Sequence, residues 1–232
     1  MKDPDVFGEA IKAFYYNNDH TNITVHSPNF DDDVIPITHL FRSFKEMPEL
    51  EKIALKHATG HILDVGCGAG SHSLYLQNKL KLEVTAIDTS VGAVEIVEKR
   101  GIVNARCEDF FNLKNEKFDT ILMLMNGSGI IGKLNNLSQF FPHARSLLTE
   151  NGCILMDSSD LTFLFEEEIG SLNYYYGELE FQISYKNLKS ETFDWLYIDF
   201  EKLKEVALEN GFSCELIKKG RHFDYLAKLQ QY

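Results

Sequence analysis

The chain has 232 residues, 44% of them hydrophobic and 25% charged, which describes an ordinary globular protein with enough apolar side chains for one sizeable core. Its formal net charge of -12 argues against a nucleic-acid partner, because binding a phosphate backbone rests on clustered Lys and Arg. No apolar run approaches the roughly 18 residues of a membrane span, and the opening residues lack a signal-peptide core, so no membrane contact and a cytoplasmic location are expected.

Cys67, Cys107, Cys153 and Cys214 form no Cys-x-x-Cys pair, which points to reduced thiols rather than a zinc site or a disulfide framework. The one basic cluster, Lys218 to His222, reads as a solvated hairpin turn.

In chain order, residues 4–18 predict a short amphipathic helix with Val6, Ala10, Ala13 and Phe14 on one side. Residues 19–36 read as loop, with Asp31, Asp32 and Asp33 as a solvated turn. Ile37, Leu40, Phe41 and Phe44 recur at helical spacing, and Pro48 starts a further helix carrying Leu50, Ile53 and Ala54. The apolar run His61 to Val65 then flows into Gly66, Gly68 and Gly70. That is a strand followed by a turn in which a ligand can reach the amides opening the next helix.

A second strand, Leu82 to Asp88, ends in a carboxylate where doubly wound folds bind a ribose. Ser90 caps a helix that Gly101 stops, and Ile102 to Cys107 is a third strand. Phe118 to Met125 is apolar throughout most of its length, as expected of a central parallel strand. The following helix carries Leu137, Phe140, Phe141, Ala144, Leu147 and Leu148; Pro142 is expected to kink or restart it, and Asn151-Gly152 to end it. Cys153 to Asp157 is a fifth strand, opening into Ser158, Ser159 and Asp160. Alternation over residues 172–198 predicts an inserted antiparallel layer, and a helix from Phe200 and a closing hairpin complete the chain.

Asp64 followed by Gly66, Gly68 and Gly70 resembles the first motif of the class I S-adenosylmethionine-dependent methyltransferases, and the terminal hairpin is similar to theirs. The resemblance implies an α/β fold: a doubly wound, mostly parallel seven-stranded sheet with a terminal antiparallel hairpin. It also implies a helical lid over residues 1–60 and a cofactor domain over residues 61–232. S-adenosylmethionine is the implied cofactor and S-adenosylhomocysteine the product. Asp64 would lie near the methionine amino group, Asp88 on the ribose, Asp109 on the adenine amino group and Phe110 beside the ring. Cys67, Thr89 and Met125 complete the expected set, with Arg42 as a clamp for the methionine carboxylate.

Asn126 would border the methyl-transfer point, with Ser158, Tyr15, Tyr16 and Tyr175 as substrate contacts. Asn126 lacks the Pro-Pro-aromatic sequence of enzymes acting on base amines or glutamine amides, which disfavours those acceptors and leaves a small or medium-sized molecule. Asp157, Asp160 and His222 are the positional candidates for a base. Each has a structural alternative, as strand-end turn, helix cap and hairpin turn. No metal is expected, since the fourth strand ends without an acid. The aromatic insertion serves either as a substrate cover or as a homodimer interface. The competing functions are a non-catalytic S-adenosylmethionine-binding subunit and a nicotinamide-dependent oxidoreductase, the latter opposed by Asp64 and by the spacing of Gly70.

Overall fold

A computed structural model describes residues 4–165 and 174–232, and among these the strands form two sheets. The main sheet contains β3 (His61–Val65), β4 (Glu83–Asp88), β5 (Asn104–Cys107), β6 (Phe118–Met123), β7 (Leu148–Ser159), β11 (Phe212–Lys219) and β12 (Asp224–Gln231). Its order is β11-β12-β7-β6-β3-β4-β5, parallel from β7 to β5 and antiparallel across β12 and β11. The doubly wound sheet with a terminal hairpin is therefore present. Helices α4 (Ser71–Asn78), α5 (Val91–Lys99), α6 (Leu137–Leu147) and α7 (Phe200–Glu209) connect its strands. Phe118, Phe140, Phe141 and Phe212 are fully buried, each contributing roughly 1.5–3 kcal/mol of apolar burial.

The second sheet departs from expectation. Residues 19–36 are not simply loop. They carry β1 (Ile23–His26) and β2 (Asp33–Ile35), and β1 pairs antiparallel with β8 (Glu178–Tyr185) of the insertion. With β9 (Leu188–Lys189) and β10 (Phe193–Leu196) these make a five-stranded antiparallel layer, so the amino-terminal segment and the insertion are one structural unit. Strands of four and three residues show too little alternation to be read from sequence, and their pairing partner lies about 160 residues away. His26 fastens the layer, its Nδ1 2.8 Å from Asp32 and its Nε2 2.8 Å from Ser184 Oγ. Residues 172 and 173 of the expected insertion lie outside the described residues.

Helix α1 (Val6–Asn17) packs on α5 through two glycines: a Cβ on Gly92 would lie 2.8 Å from Gly8 Cα. One carboxylate serves both helices, since Asp5 accepts from Gly8 N at 2.9 Å and from Gly92 N at 2.8 Å. The expected pair of lid helices is reduced to one turn, α2 (Ile37–Leu40), and α3 (Glu49–His57). Two further boundaries shift. Helix α6 runs through Pro142 without restarting and ends at Leu147, and β7 begins at Leu148 rather than after Gly152. Proline removes one interior hydrogen bond, which the burial of Phe140, Phe141 and Ala144 offsets. No helix among the described residues is long and apolar enough to cross a membrane.

Candidate functional site

The carboxyl ends of β3, β4, β6 and β7 converge on the glycine turn, the edge where open α/β sheets bind ligands. Gly66, Gly68 and Gly70 adopt φ of 69°, 55° and 79°, a left-handed run that side chains disfavour. Gly66 N and Cys67 N both donate to Ile87 O, fastening the turn to β4, and Cys67 is buried. A Cβ on Gly68 would meet nothing nearer than Phe7 Cε1 at 3.7 Å, so α1 lies across an otherwise open turn. Gly70 caps α4 without a side-chain hydrogen bond, leaving the amides of Ser71 and His72 in its first turn available to a ligand, while that of Ser73 meets Asp64.

Asp64 and Asp88 flank this turn. Asp64 is buried and accepts from Ser73 Oγ on α4, and burial raises its carboxyl above the ordinary value. Asp88 accepts from Gly68 N at 2.9 Å and from Ser90 N at 2.9 Å, and burial raises it as well. A carboxylate already held by two amides costs little further ordering when it meets a sugar hydroxyl. Thr89 follows it on the exposed surface. Asp109 is exposed and caps a single 3-10 turn through Phe111 N at 2.8 Å, with acceptor capacity left over. Phe110 is a correction: it is 2% exposed and packs into the core against Phe140 and His143, so it offers no face to an adenine ring.

Arg42 is neither solvent-facing nor free. Its Nη2 lies 2.5 Å from Glu51 Oε2, its Nε 3.2 Å from the same oxygen, and its Nη1 donates to His39 O. His72 Nε2 is 2.8 Å from that oxygen too, making a buried Arg42–Glu51–His72 cluster that joins α3 to the first turn of α4. Burial works to raise the Glu51 carboxyl, but the bonds from His72 and Arg42 outweigh it and hold it below its ordinary value. Arg100 acts similarly on the other side, donating to Ala69 O in the glycine turn while its guanidinium stacks on Phe41.

At the end of β6, Met125 and Asn126 are both left-handed, and Asn126 Oδ1 accepts from Ser159 Oγ at 2.8 Å. Asp157 is buried behind them. Ser158 is fully buried and bonded to Ser128 Oγ and Ile198 N, so it is structural rather than a substrate contact. Asp160 accepts from Thr162 N at 2.9 Å and from Tyr176 OH at 3.2 Å, and His222 is exposed in the hairpin turn beyond β11. Tyr175 donates to Asp199 at 2.7 Å, while Tyr16 donates to Glu95 at 2.8 Å and Tyr15 packs edge-on against it. Those three hydroxyl-bearing rings are therefore engaged by the protein itself or by each other. Glu51, His72, Arg100 and Asp5 complete the site without any local sequence signal beyond the position of Asp5 before a helix.

A family model described as a methyltransferase domain matches residues 62–152, from the first strand of the main sheet to the start of β7. A crystal structure of a SAM-dependent methyltransferase from Bacteroides fragilis, in complex with S-adenosyl-L-homocysteine, shares 51% identity and a TM-score of 0.92. That match covers 98% of this chain and 94% of the other. The chain belongs to the class I S-adenosylmethionine-dependent methyltransferases. The methyltransferase also shares its fold with an S-adenosylmethionine-dependent methyltransferase from Clostridium acetobutylicum, at 15% identity and TM-score 0.59, covering 84% of this chain and 94% of that one. The sugar N-methyltransferase KedS8 from Streptoalloteichus is similar at 14% identity and TM-score 0.55, over 89% and 97% of the two chains. Comparison with curated proteins found no match. The residues at the turn fit the cofactor, for the left-handed glycines leave room while the first amides of α4, buried Asp64 and half-buried Asp88 supply donors and acceptors.

Proposed function

We propose that this enzyme methylates a small or medium-sized acceptor enclosed between the carboxyl edge of the main sheet and the second sheet. The observation that carries this reading is the closeness of the two layers. Tyr185 and Ile183 of β8 pack in one apolar cluster with Ala69 of the glycine turn and Met125 beyond β6. Trp195 of β10 lies directly on Gly129, where no side chain would fit. A site covered in this way would hold water and a polymer away from the transferred methyl group.

In this reading Asp88 holds the ribose and Asp64 stands at the amino end of the methionine moiety. The amides of Gly66, Cys67, Gly68 and Gly70 line the turn, with Thr89, Asp109 and Met125 around the nucleoside. Arg42 serves through Glu51, which aligns His72 against the first turn of α4. Bound S-adenosylmethionine supplies a methyl group already activated by its sulfonium. The chain's own task is to align the acceptor and keep water out. Cys67, Cys107, Cys153 and Cys214 form no disulfide, which fits a reducing cytoplasm.

A library of small hydroxyl- and amine-bearing acceptors, followed by S-adenosylhomocysteine release, tests the proposal. Turnover with compounds small enough to be enclosed is the expected result. Transfer confined to protein or nucleic-acid polymers would contradict it, and cofactor binding with no transfer to any acceptor would favour a binding subunit.

A further inference from the structure

Asp157 sits at the carboxyl end of β7 with 9% of its surface exposed. Its oxygens accept from Gly127 N at 3.0 Å and Met125 N at 3.2 Å, and among the described residues these neutral amides are its hydrogen-bond partners. The charged and titratable groups around it come from four elements. Glu51 on α3 raises its carboxyl and His72 on α4 lowers it, while Asp157 in turn bears on the phenols of Tyr197, between β10 and α7, and Tyr225 on β12. Arg42 and His72 both direct their short bonds to Glu51, so among the described residues no cation is hydrogen-bonded to Asp157. A buried carboxylate in that position favours its neutral form, and its value is pushed up to about 7, with burial the largest cause. A cation arriving within about 4–6 Å reverses that preference.

Resting on the site reading above, we propose that Asp157 is the proton store of the methyl-transfer site, ionised while the cofactor carries its sulfonium charge and protonated once the neutral thioether remains. In the transfer the sulfur–methyl bond breaks with its electron pair left on sulfur. The acceptor–methyl bond forms, and the proton carried by the acceptor's oxygen or nitrogen leaves. Asp157 takes up that proton, directly or through water. Sulfonium and carboxylate before the transfer become thioether and carboxylic acid after it, so the charge enclosed between the two sheets does not change. That constancy suits a dry site, where an unbalanced charge is costly. The acceptor class follows: a neutral O–H or N–H nucleophile rather than a carbanion or a pre-ionised carboxylate.

Proton linkage tests this without an acceptor. Calorimetry at pH 7 in buffers of different ionisation enthalpy should show S-adenosylmethionine releasing roughly half a proton per site on binding, since a group whose value lies near the working pH is half protonated beforehand. S-adenosylhomocysteine should release none and instead take up a comparable fraction, and Asp157→Asn should abolish the difference. Equal release by both ligands in the unmodified protein overturns the proposal. Should Asp157→Asn fail to fold, infrared spectra of the unmodified protein decide. A buried carboxylic-acid carbonyl band present with S-adenosylhomocysteine and lost with S-adenosylmethionine supports the assignment, and identical spectra overturn it. Binding of neither ligand would sink the site reading and this inference together, whereas binding without differential proton release sinks the inference alone.

Discussion

Replacing Glu51 with alanine is expected to cost about 3–5 kcal/mol of folding stability, the usual consequence of stripping one partner from a buried ionic cluster. Glu51 is 4% exposed and stands between Arg42 at 6% and His72 at 7%, so its removal leaves a guanidinium in low dielectric without a counter-charge. The loss should spread beyond α3, because His72 opens α4 and α4 opens on the glycine turn. Cofactor affinity should therefore fall along with stability. The sign of the pH effect follows from the depressed carboxyl: the stabilisation is fully present above the unfolded value of about 4.3 and is lost as pH falls through the folded one. Denaturant unfolding at pH 7 measures the change directly. A loss below about 1 kcal/mol would mean that the cluster behaves as an exposed pair and that water reaches it.

Asp88→Ala should weaken S-adenosylhomocysteine by about 1.5–3 kcal/mol, roughly 10- to 150-fold in Kd, through the loss of the charge-assisted bonds proposed to the ribose. The structure adds a second reason for the effect. Gly68 N and Ser90 N both rest on this carboxylate, so alanine also frees the turn and the start of α5. Asp88→Asn keeps an acceptor oxygen and should fall between the two proteins. Calorimetry on folded variants separates these outcomes, and an alanine variant that binds as tightly as the unmodified protein would remove Asp88 from the site.

Much of this arrangement was legible in the amino-acid sequence because its cause is local. Three glycines alternating with small residues after an apolar strand admit few conformations, and Asp88 and Ser90 announce a strand end and a helix cap within three residues. The terminal hairpin shows in the strand-period alternation flanking Gly220. What was not legible depends on distant partners. Strand β1 is a strand only because β8 pairs with it, and Arg42 points away from solvent because Glu51, itself held by His72, neutralises it from another helix. Phe110 could face a ligand or the core on equal sequence grounds; the packing of α6 decides for the core. Proline's missing N–H is visible in the sequence and predicts a kink or restart at Pro142, whereas the burial that compensates it is not visible there.

In the proposed site the amino-terminal segment and the second sheet close one cofactor edge together. Hydrogen exchange with and without S-adenosylhomocysteine tests it most directly, since both segments form a unit through β1 and β8 and touch the glycine turn through α1. Slowed exchange is predicted in residues 10–45, in β8 and in the glycine turn together. Protection confined to the glycine turn would contradict the account, leaving α1 and the second sheet as packing elements away from the chemistry.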